Sequence, residues 1–242
     1  RADELMRGQR GAVALLNAQS GEILIMASHP TYDPNNLTEI AADLLADPNK
    51  PLINRAASGL YPTGSILEPF VKTLFKDATF ENDQLLSVFN TYGFDNSFNP
   101  RIAVAESFVN EDKNQLYTSP LQMALASASF SNNGIIPTPR IAMAVNTPND
   151  GWLTLPALEM PIEAIQPSVA KEAVDPYSAS GNNLWSHTAQ AMDEETHVTW
   201  FIAGTPANWQ STPLVVVVVL EENNPQLAQR IGRELLSNAM NP

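Results

Sequence analysis

GAVALLNAQSGEILIMAS, residues 11–28, contains two apolar runs split by Asn17-Ala18-Gln19-Ser20-Gly21. The break is rich in turn formers and the flanking runs carry valine, isoleucine and leucine, so the stretch predicts a β-hairpin. Both runs are nearly continuous in apolar residues instead of alternating, which predicts a sheet covered on both faces. A second hairpin is predicted near the other end, from VTWFIAG (198–204) and PLVVVVVL (213–220), across a loop rich in proline, asparagine and serine. Strand pairs at both ends with helices between them imply an α+β fold. In it the N- and C-terminal strands form one antiparallel sheet, flanked by helices, with a mainly helical subdomain inserted.

Other segments fill in this frame. HPTYDPNN (29–36) reads as a loop in which Asp33 and Asn35 form turns, and residues 37–47 as a short helix. SPLQMALASASFSNNG (119–134) is the clearest helix. Ser119 suits the N-cap, Pro120 the first position and Gly134 the stop, and apolar residues nearly all round predict burial. PQLAQRIGRELLSNAM (225–240) places Leu227, Ile231 and Leu235 four apart, as an amphipathic helix does. Residues 146–185 are the longest stretch expected to be irregular. His197 and Trp200 read as packing residues of a strand. The expected organisation is one domain over 1–242, its α/β part about 1–60 and 140–242 and its helical part about 61–139. An upstream anchor or dimerisation region is expected to precede the mid-helix opening RADELMRGQR.

Composition removes several function classes. The net charge of −13, from 26 acidic and 13 basic side chains, repels phosphate backbones and argues against nucleic-acid binding. No apolar run is long enough to span a bilayer, so any membrane attachment is expected through an anchor outside this chain. The absence of cysteine rules out disulfides, thiolate metal sites and a cysteine nucleophile. His29, His187 and His197 are too scattered to suggest a metal site, and no cofactor is expected.

YPTGSILEPF (61–70) carries the chemistry. Ser65 precedes an apolar run and Glu68 follows three residues later. Ser65 reads either as a nucleophile or as a helix N-cap, and Glu68 either as a base or as a first-turn acid favoured by the helix dipole. Lys72, two helical turns beyond Ser65, stands roughly 10 Å along the axis, too far to act as its base.

The hairpin GAVALLNAQSGEILIMASHPTYDPN resembles the opening of the penicillin-binding protein transpeptidase domain. NRAASGLYPTGSILEPF resembles that family's approach to its nucleophilic serine, LYTSPLQMALASASFSNNGIIPTPR its buried helix, and HTAQ with HVTWFIAGTP and VVVVVLEEN its closing strands. The order of these pieces is the family's, and the nearest group is the membrane-anchored class B type. The resemblance implies a serine D,D-transpeptidase of peptidoglycan synthesis, outside the cytoplasm in the cell envelope and tethered to the membrane. It implies division or elongation proteins as partners, and a stem peptide or β-lactam as ligand.

The family's three motifs, S-x-x-K, S-x-N and K-[ST]-G, are altered here. The first falls on Ser65-Ile66-Leu67-Glu68, with glutamate in place of lysine. The third falls on Trp185-Ser186-His187, followed by Thr188, so Ser65 and Glu68 mark the catalytic position and Trp185, Ser186, His187 and Thr188 the substrate strand. S-x-N has no counterpart: Ser87 and Ser97 lie in the wrong flanking context, and the segment that carries the motif is trimmed.

These changes act together. An ionised carboxylate, with a reference pKa of about 4.3, is a weak base toward an alcohol. The family's ligands bear a carboxylate, and a like charge about 4 Å away costs about 1 kcal/mol in water and about 4 at intermediate dielectric. Trp185, read as a pocket plug or core aromatic, removes the attracting cation, and His187 adds a ring where glycine would let substrate lie along the strand. The expectation is an inactive pseudoenzyme acting as a scaffold or regulator. Its alternatives are acylation of Ser65 with an unusual base, His187 among the candidates, and non-catalytic binding of stem peptides.

Overall fold

The computed structural model describes residues 1–178, 184–193 and 196–241. The opening hairpin forms as β1 (Gly11–Asn17) and β2 (Ile23–His29), antiparallel with an irregularity at Leu15/Leu16. Near the other end, β3 (Trp185–Asp193), β4 (Thr196–Gly204) and β5 (Leu214–Leu220) form a meander. β1 pairs with β5 from Gly11↔Leu220 to Asn17↔Leu214, giving the order β3-β4-β5-β1-β2. The predicted joining of N- and C-terminal strands in one sheet is therefore present.

The valine run explains itself through this position. β5 lies at the centre, and successive residues point to opposite faces. Val215, Val217 and Val219 enter a core with Trp200, Leu16 and Phe130, while Val216, Val218 and Leu220 enter a second with Phe201, Ile231 and Leu235. β1 is buried in the same two-sided way. β2 is not: it is an edge strand, half-exposed along most of its length, with Leu24 46% accessible. Double coverage held for the inner strands and failed at the edge, because an apolar run does not encode strand order.

Among the described residues six helices of seven or more residues flank or extend from this sheet: α1 (Leu37–Ala46), α2 (Glu68–Leu74), α3 (Asn82–Thr91), α4 (Pro120–Ser131), α5 (Pro167–Val174) and α6 (Pro225–Met240). In α4 all twelve residues are buried, and the Ser119 side chain caps it by accepting from the Gln122 N–H. α6 covers the opposite face of the sheet with Ala228, Ile231, Gly232, Leu235 and Leu236. A Cβ at Gly232 would sit 2.3 Å from the Phe201 ring, so only glycine allows this approach. Leu227, expected on the apolar stripe, is only half-buried at its rim.

Two expectations need correction. Residues 146–185 are not mainly irregular: Gly151–Thr154 pairs with Ala144–Thr147, and α5 begins at Pro167, a residue that pre-sets the helical φ. Residues 179–183 of that stretch lie outside the described residues. Ser65 is not a helix N-cap, because a 3-10 turn (Gly64–Leu67) precedes α2 and Thr63 occupies the capping position. Glu68, the first residue of α2, is the first-turn acid that the sequence suggests.

A buried ion pair fastens the approach to Ser65 onto the sheet. Arg55, 3% exposed, donates to Glu221 at the end of β5 (2.7 Å) and to the carbonyls of Asn49 and Lys50. Tyr61 donates to the same Glu221 oxygen at 2.9 Å, and Arg10 approaches the other at 2.6 Å. Burial pushes the Glu221 carboxyl up, but the hydrogen bonds from Arg55 and Tyr61 outweigh it and hold the group below the usual range. Removing one partner of a buried pair strands the other, so Arg55→Ala should lower unfolding free energy by about 3–5 kcal/mol in urea titrations. A carboxyl held low in the folded state adds stability above its unfolded pKa and loses it as pH falls through the folded value. Stability should therefore drop as pH falls below about 4.3, and Glu221→Gln should flatten that part of the profile.

Candidate active site

Ser65 is held beside the sheet by the strand pairing just before it. Tyr61 and Pro62 pair with Thr118 and Tyr117, Trp200 donates its indole N–H to the Pro62 carbonyl (2.8 Å), and the Thr63 N–H donates to the Leu116 carbonyl (2.9 Å). Gly64 then takes φ +53, and a Cβ there would lie 2.9 Å from both the Ala191 Cβ and the Gln190 carbonyl oxygen. Glycine thus lets the serine-bearing turn rest directly on β3. Ser65 is exposed and lines a cleft of about 160 Å³ with Thr63, Phe80, Leu85, Asn114 and Gln115. Ligand sites ordinarily measure about 300–1,000 Å³, so this cleft is small for a peptide or a bicyclic drug.

Among the described residues no side chain hydrogen-bonds the Ser65 hydroxyl. Glu68 is instead paired with Lys72 one turn further along α2. That partnership, with its Glu68 hydrogen bond as main cause, raises the Lys72 pKa and keeps the ammonium protonated. A protonated amine donates and cannot take a proton from serine. The charge that glutamate adds to the site is accordingly balanced within the same helix.

His187 lies against the serine but is turned to its backbone. Nε2 stands 3.1 Å from the Ser65 carbonyl oxygen and 4.0 Å from Glu68 Oε2. A carbonyl only accepts, so Nε2 carries the proton and has no lone pair to offer the hydroxyl. Burial lowers the His187 pKa, opposed by the Ser65 carbonyl and the Glu68 charge. Tyr177 packs edge-on against the imidazole with centroids 4.8 Å apart. Its phenol is raised by burial and then by the charge of Glu68. Glu68, Lys72, Tyr177 and His187 thus form a polar cluster beside Ser65.

Strand alternation divides the remaining predicted residues. Trp185 and His187 face α2 and α4, whereas Ser186 and Thr188 face α6. Trp185 is 1% exposed; its indole N–H donates to Ser131 Oγ and the Thr205 carbonyl, both at 3.1 Å, and its ring meets Phe130 edge-on. It is a core residue, in keeping with the core-aromatic reading of the sequence, and among the described residues it lines no groove. Thr188 accepts from Gln229 of α6 at 3.0 Å, so it and Ser186 lie on the face away from Ser65, a correction to their placement among substrate-binding residues. At the outer edge of β3, Ser178 forms a bridge with Trp185, covering the start of the edge where an added peptide strand would pair.

The sequence reading missed Tyr177 and Ser178, which carry no motif. The Glu68–Lys72 pair was visible as an i,i+4 spacing. The two serines tested against the middle motif lie elsewhere: Ser87 bonds back to the Asp83 carbonyl within α3 and Ser97 bonds Glu106.

Comparison with known proteins places this geometry. Residues 11–75 match the penicillin binding protein transpeptidase domain model. Over 74 residues the chain is 39% identical to peptidoglycan D,D-transpeptidase MrdA of Escherichia coli K12, a match covering 28% of this chain and only 12% of MrdA. It is 24% identical to peptidoglycan D,D-transpeptidase PbpA of Mycolicibacterium smegmatis, across 96% of this chain and 67% of PbpA. That alignment runs over 332 residues against the 242 of this chain, so PbpA carries internal segments with no counterpart here. Penicillin-binding protein A from M. tuberculosis, solved as an imipenem acyl-enzyme complex, superposes with TM-score 0.83 at 22% identity, covering 99% of this chain and 76% of that one. The D,D-transpeptidase domain of a peptidoglycan glycosyltransferase from Eggerthella lenta gives 0.82 at 18%, covering 99% and 79%.

Two outcomes are expected at this site. Because burial disfavours its charged form, His187 should titrate below 6.5 by NMR, and stability should fall as pH drops below that value, a slope that His187→Asn removes. Trp185→Lys should cost at least about 3–5 kcal/mol in urea titrations, through the emptied ring volume and a buried charge.

Proposed function

We propose that this chain, which has the fold of a penicillin-binding protein transpeptidase domain and that family's sequence over residues 11–75, is a non-acylating scaffold or regulator of peptidoglycan synthesis. It works on the extracytoplasmic side of the cell envelope, tethered to the membrane in the full-length protein. The observation that carries this reading is the state of the groups around Ser65. Acyl transfer needs a base that takes the Oγ proton as Oγ attacks a carbonyl. Lys72 is protonated against Glu68, and His187 directs its N–H at the Ser65 carbonyl. The cleft beside the serine is small, and position 185, where the family resemblance sets the motif lysine, holds the buried Trp185.

Partners are sought among proteins of cell-wall elongation or division. A related structure is a complex between penicillin-binding protein PBP2 and MreC from Helicobacter pylori, and it supports that choice by analogy of fold.

A second reading is favoured by one observation: Ser65 is exposed, so the serine is open to solvent and to small electrophiles. In this reading Ser65 is acylated with a non-standard base; in a weaker form the site binds stem peptides without reacting. Intact-mass spectra after incubation with benzylpenicillin separate these cases. The unmodified mass is expected, and a stoichiometric adduct that disappears in Ser65→Ala would overturn the scaffold reading. Thermal-shift titration with muropeptides should give no change, whereas a saturable shift retained in Ser65→Ala would point to the binder.

A further inference from the structure

The longest helix between the opening hairpin and Ser65 packs into neither core. α1 has no fully buried residue, and its half-buried members Ile40, Ala41 and Leu44 belong to neither hydrophobic cluster. Successive residues of a helix step by about 100°, which gathers Leu37, Ile40, Ala41, Leu44 and Leu45 into one apolar stripe. Leu45 is 77% exposed and Leu37 40%. Helices of this length are marginal in water unless an apolar face is packed. A turn flanks α1 on each side: the Asp33 carboxylate accepts from the Asn35 N–H before the helix, and the Asp47 carboxylate accepts from the Asn49 N–H after it. A short helix therefore leaves Leu37 and Leu45 of its apolar stripe in solvent, beside the half-buried Ile40, Ala41 and Leu44.

Charge says what fits that stripe. From Glu22 to Asn49 the chain contains Glu22, Asp33, Glu39, Asp43 and Asp47 and no lysine or arginine, and one cation, the exposed Lys50, follows in the turn after Asp47. Glu39 and Asp43 lie on the polar face and Asp47 closes the helix. Helices that lie on membranes carry cations on the polar face to meet anionic lipid, and α1 has none. A second copy of this chain, at a net charge of −13, meets the same surface with like charge. Opposite charge and apolar area remain as the complementary combination.

We propose that α1 is a docking helix for a protein partner whose receiving groove is apolar and rimmed by lysine or arginine. The leucines enter the groove and Glu39, Asp43 and Asp47 meet the basic rim, the helix-in-groove mode of recognition. The segments that precede and follow the helix in sequence line a cleft of about 270 Å³, with Tyr32 on one side and Pro51, Leu52 and Ile53 on the other. This assignment is independent of whether Ser65 can be acylated.

The probe is a fluorescein-labelled synthetic helix of eighteen residues with leucine along one face and lysine on both flanks, titrated against the intact protein by anisotropy. Saturable one-to-one binding is expected, weakened about ten-fold by Leu37→Ser with Leu45→Ser and about ten-fold by Glu39→Lys with Asp43→Lys. All four side chains lie on the exposed helix, so the variants should keep their far-ultraviolet circular dichroism. The same charge reversal at Glu163 and Glu172, exposed elsewhere, should leave binding within about two-fold. Equal weakening by that control, or none by the leucine pair, would overturn the proposal by reducing the effect to bulk charge. A photo-crosslinker at Leu45 in the full-length protein should yield a product with a different chain, joined at a segment containing lysine or arginine and lost in Glu39→Lys/Asp43→Lys. A product of two copies of this chain, or leucine-dependent binding to phosphatidylglycerol vesicles, would overturn it in favour of self-association or a lipid surface.

Discussion

The pairing of β1 with β5 is the constraint on which the remaining structure rests. It joins residues about 200 positions apart along seven registered pairs and makes two neighbouring strands inaccessible on both faces. Everything catalytic in appearance follows from distance to this pair. β3 lies two strands away, at the sheet edge, where Trp185 enters the core and Thr188 meets α6, while Gln190 and Met192 further along stay exposed. The Ser65 turn reaches β3 because Arg55 and Tyr61 anchor the chain before it to Glu221, the residue directly after β5. A single carboxylate thus links the central sheet to the start of the site.

Much of this frame could be read from the residues alone. Apolar runs separated by turn formers gave both hairpins, and Ser119-Pro120 gave the start of α4 almost to the residue, since both signals are local. The exposure of β2 could not be read, because an apolar run in an inner strand and one at an edge look alike until the order of strands is known. Residues 146–185 misled in the opposite direction. Their prolines suggested irregular chain, yet Pro167 opens α5, a position where proline favours the helix.

The site was legible by position and less so by direction. Ser65, Glu68 and His187 do converge, and the spacing of Glu68 and Lys72 was open to inspection. Which way each side chain of β3 points depends on the parity of the strand, and that parity places Trp185 in the core and Thr188 against Gln229. His187 presents the same lesson at atomic scale. Proximity to a serine suggests a base, whereas the partner actually chosen is a carbonyl, and that choice fixes where the proton resides.

The position of Trp185 makes substitution there directional. The indole fills a space bounded by Phe130 and Gly204, and its N–H satisfies Ser131 and Thr205. A chain that acquires this ring gains packing and two hydrogen bonds at once. A chain that gives it up must close a void and rehouse two polar groups in the same step. Packing and hydrogen bonding at this point are therefore lost together, and no single substitution restores both.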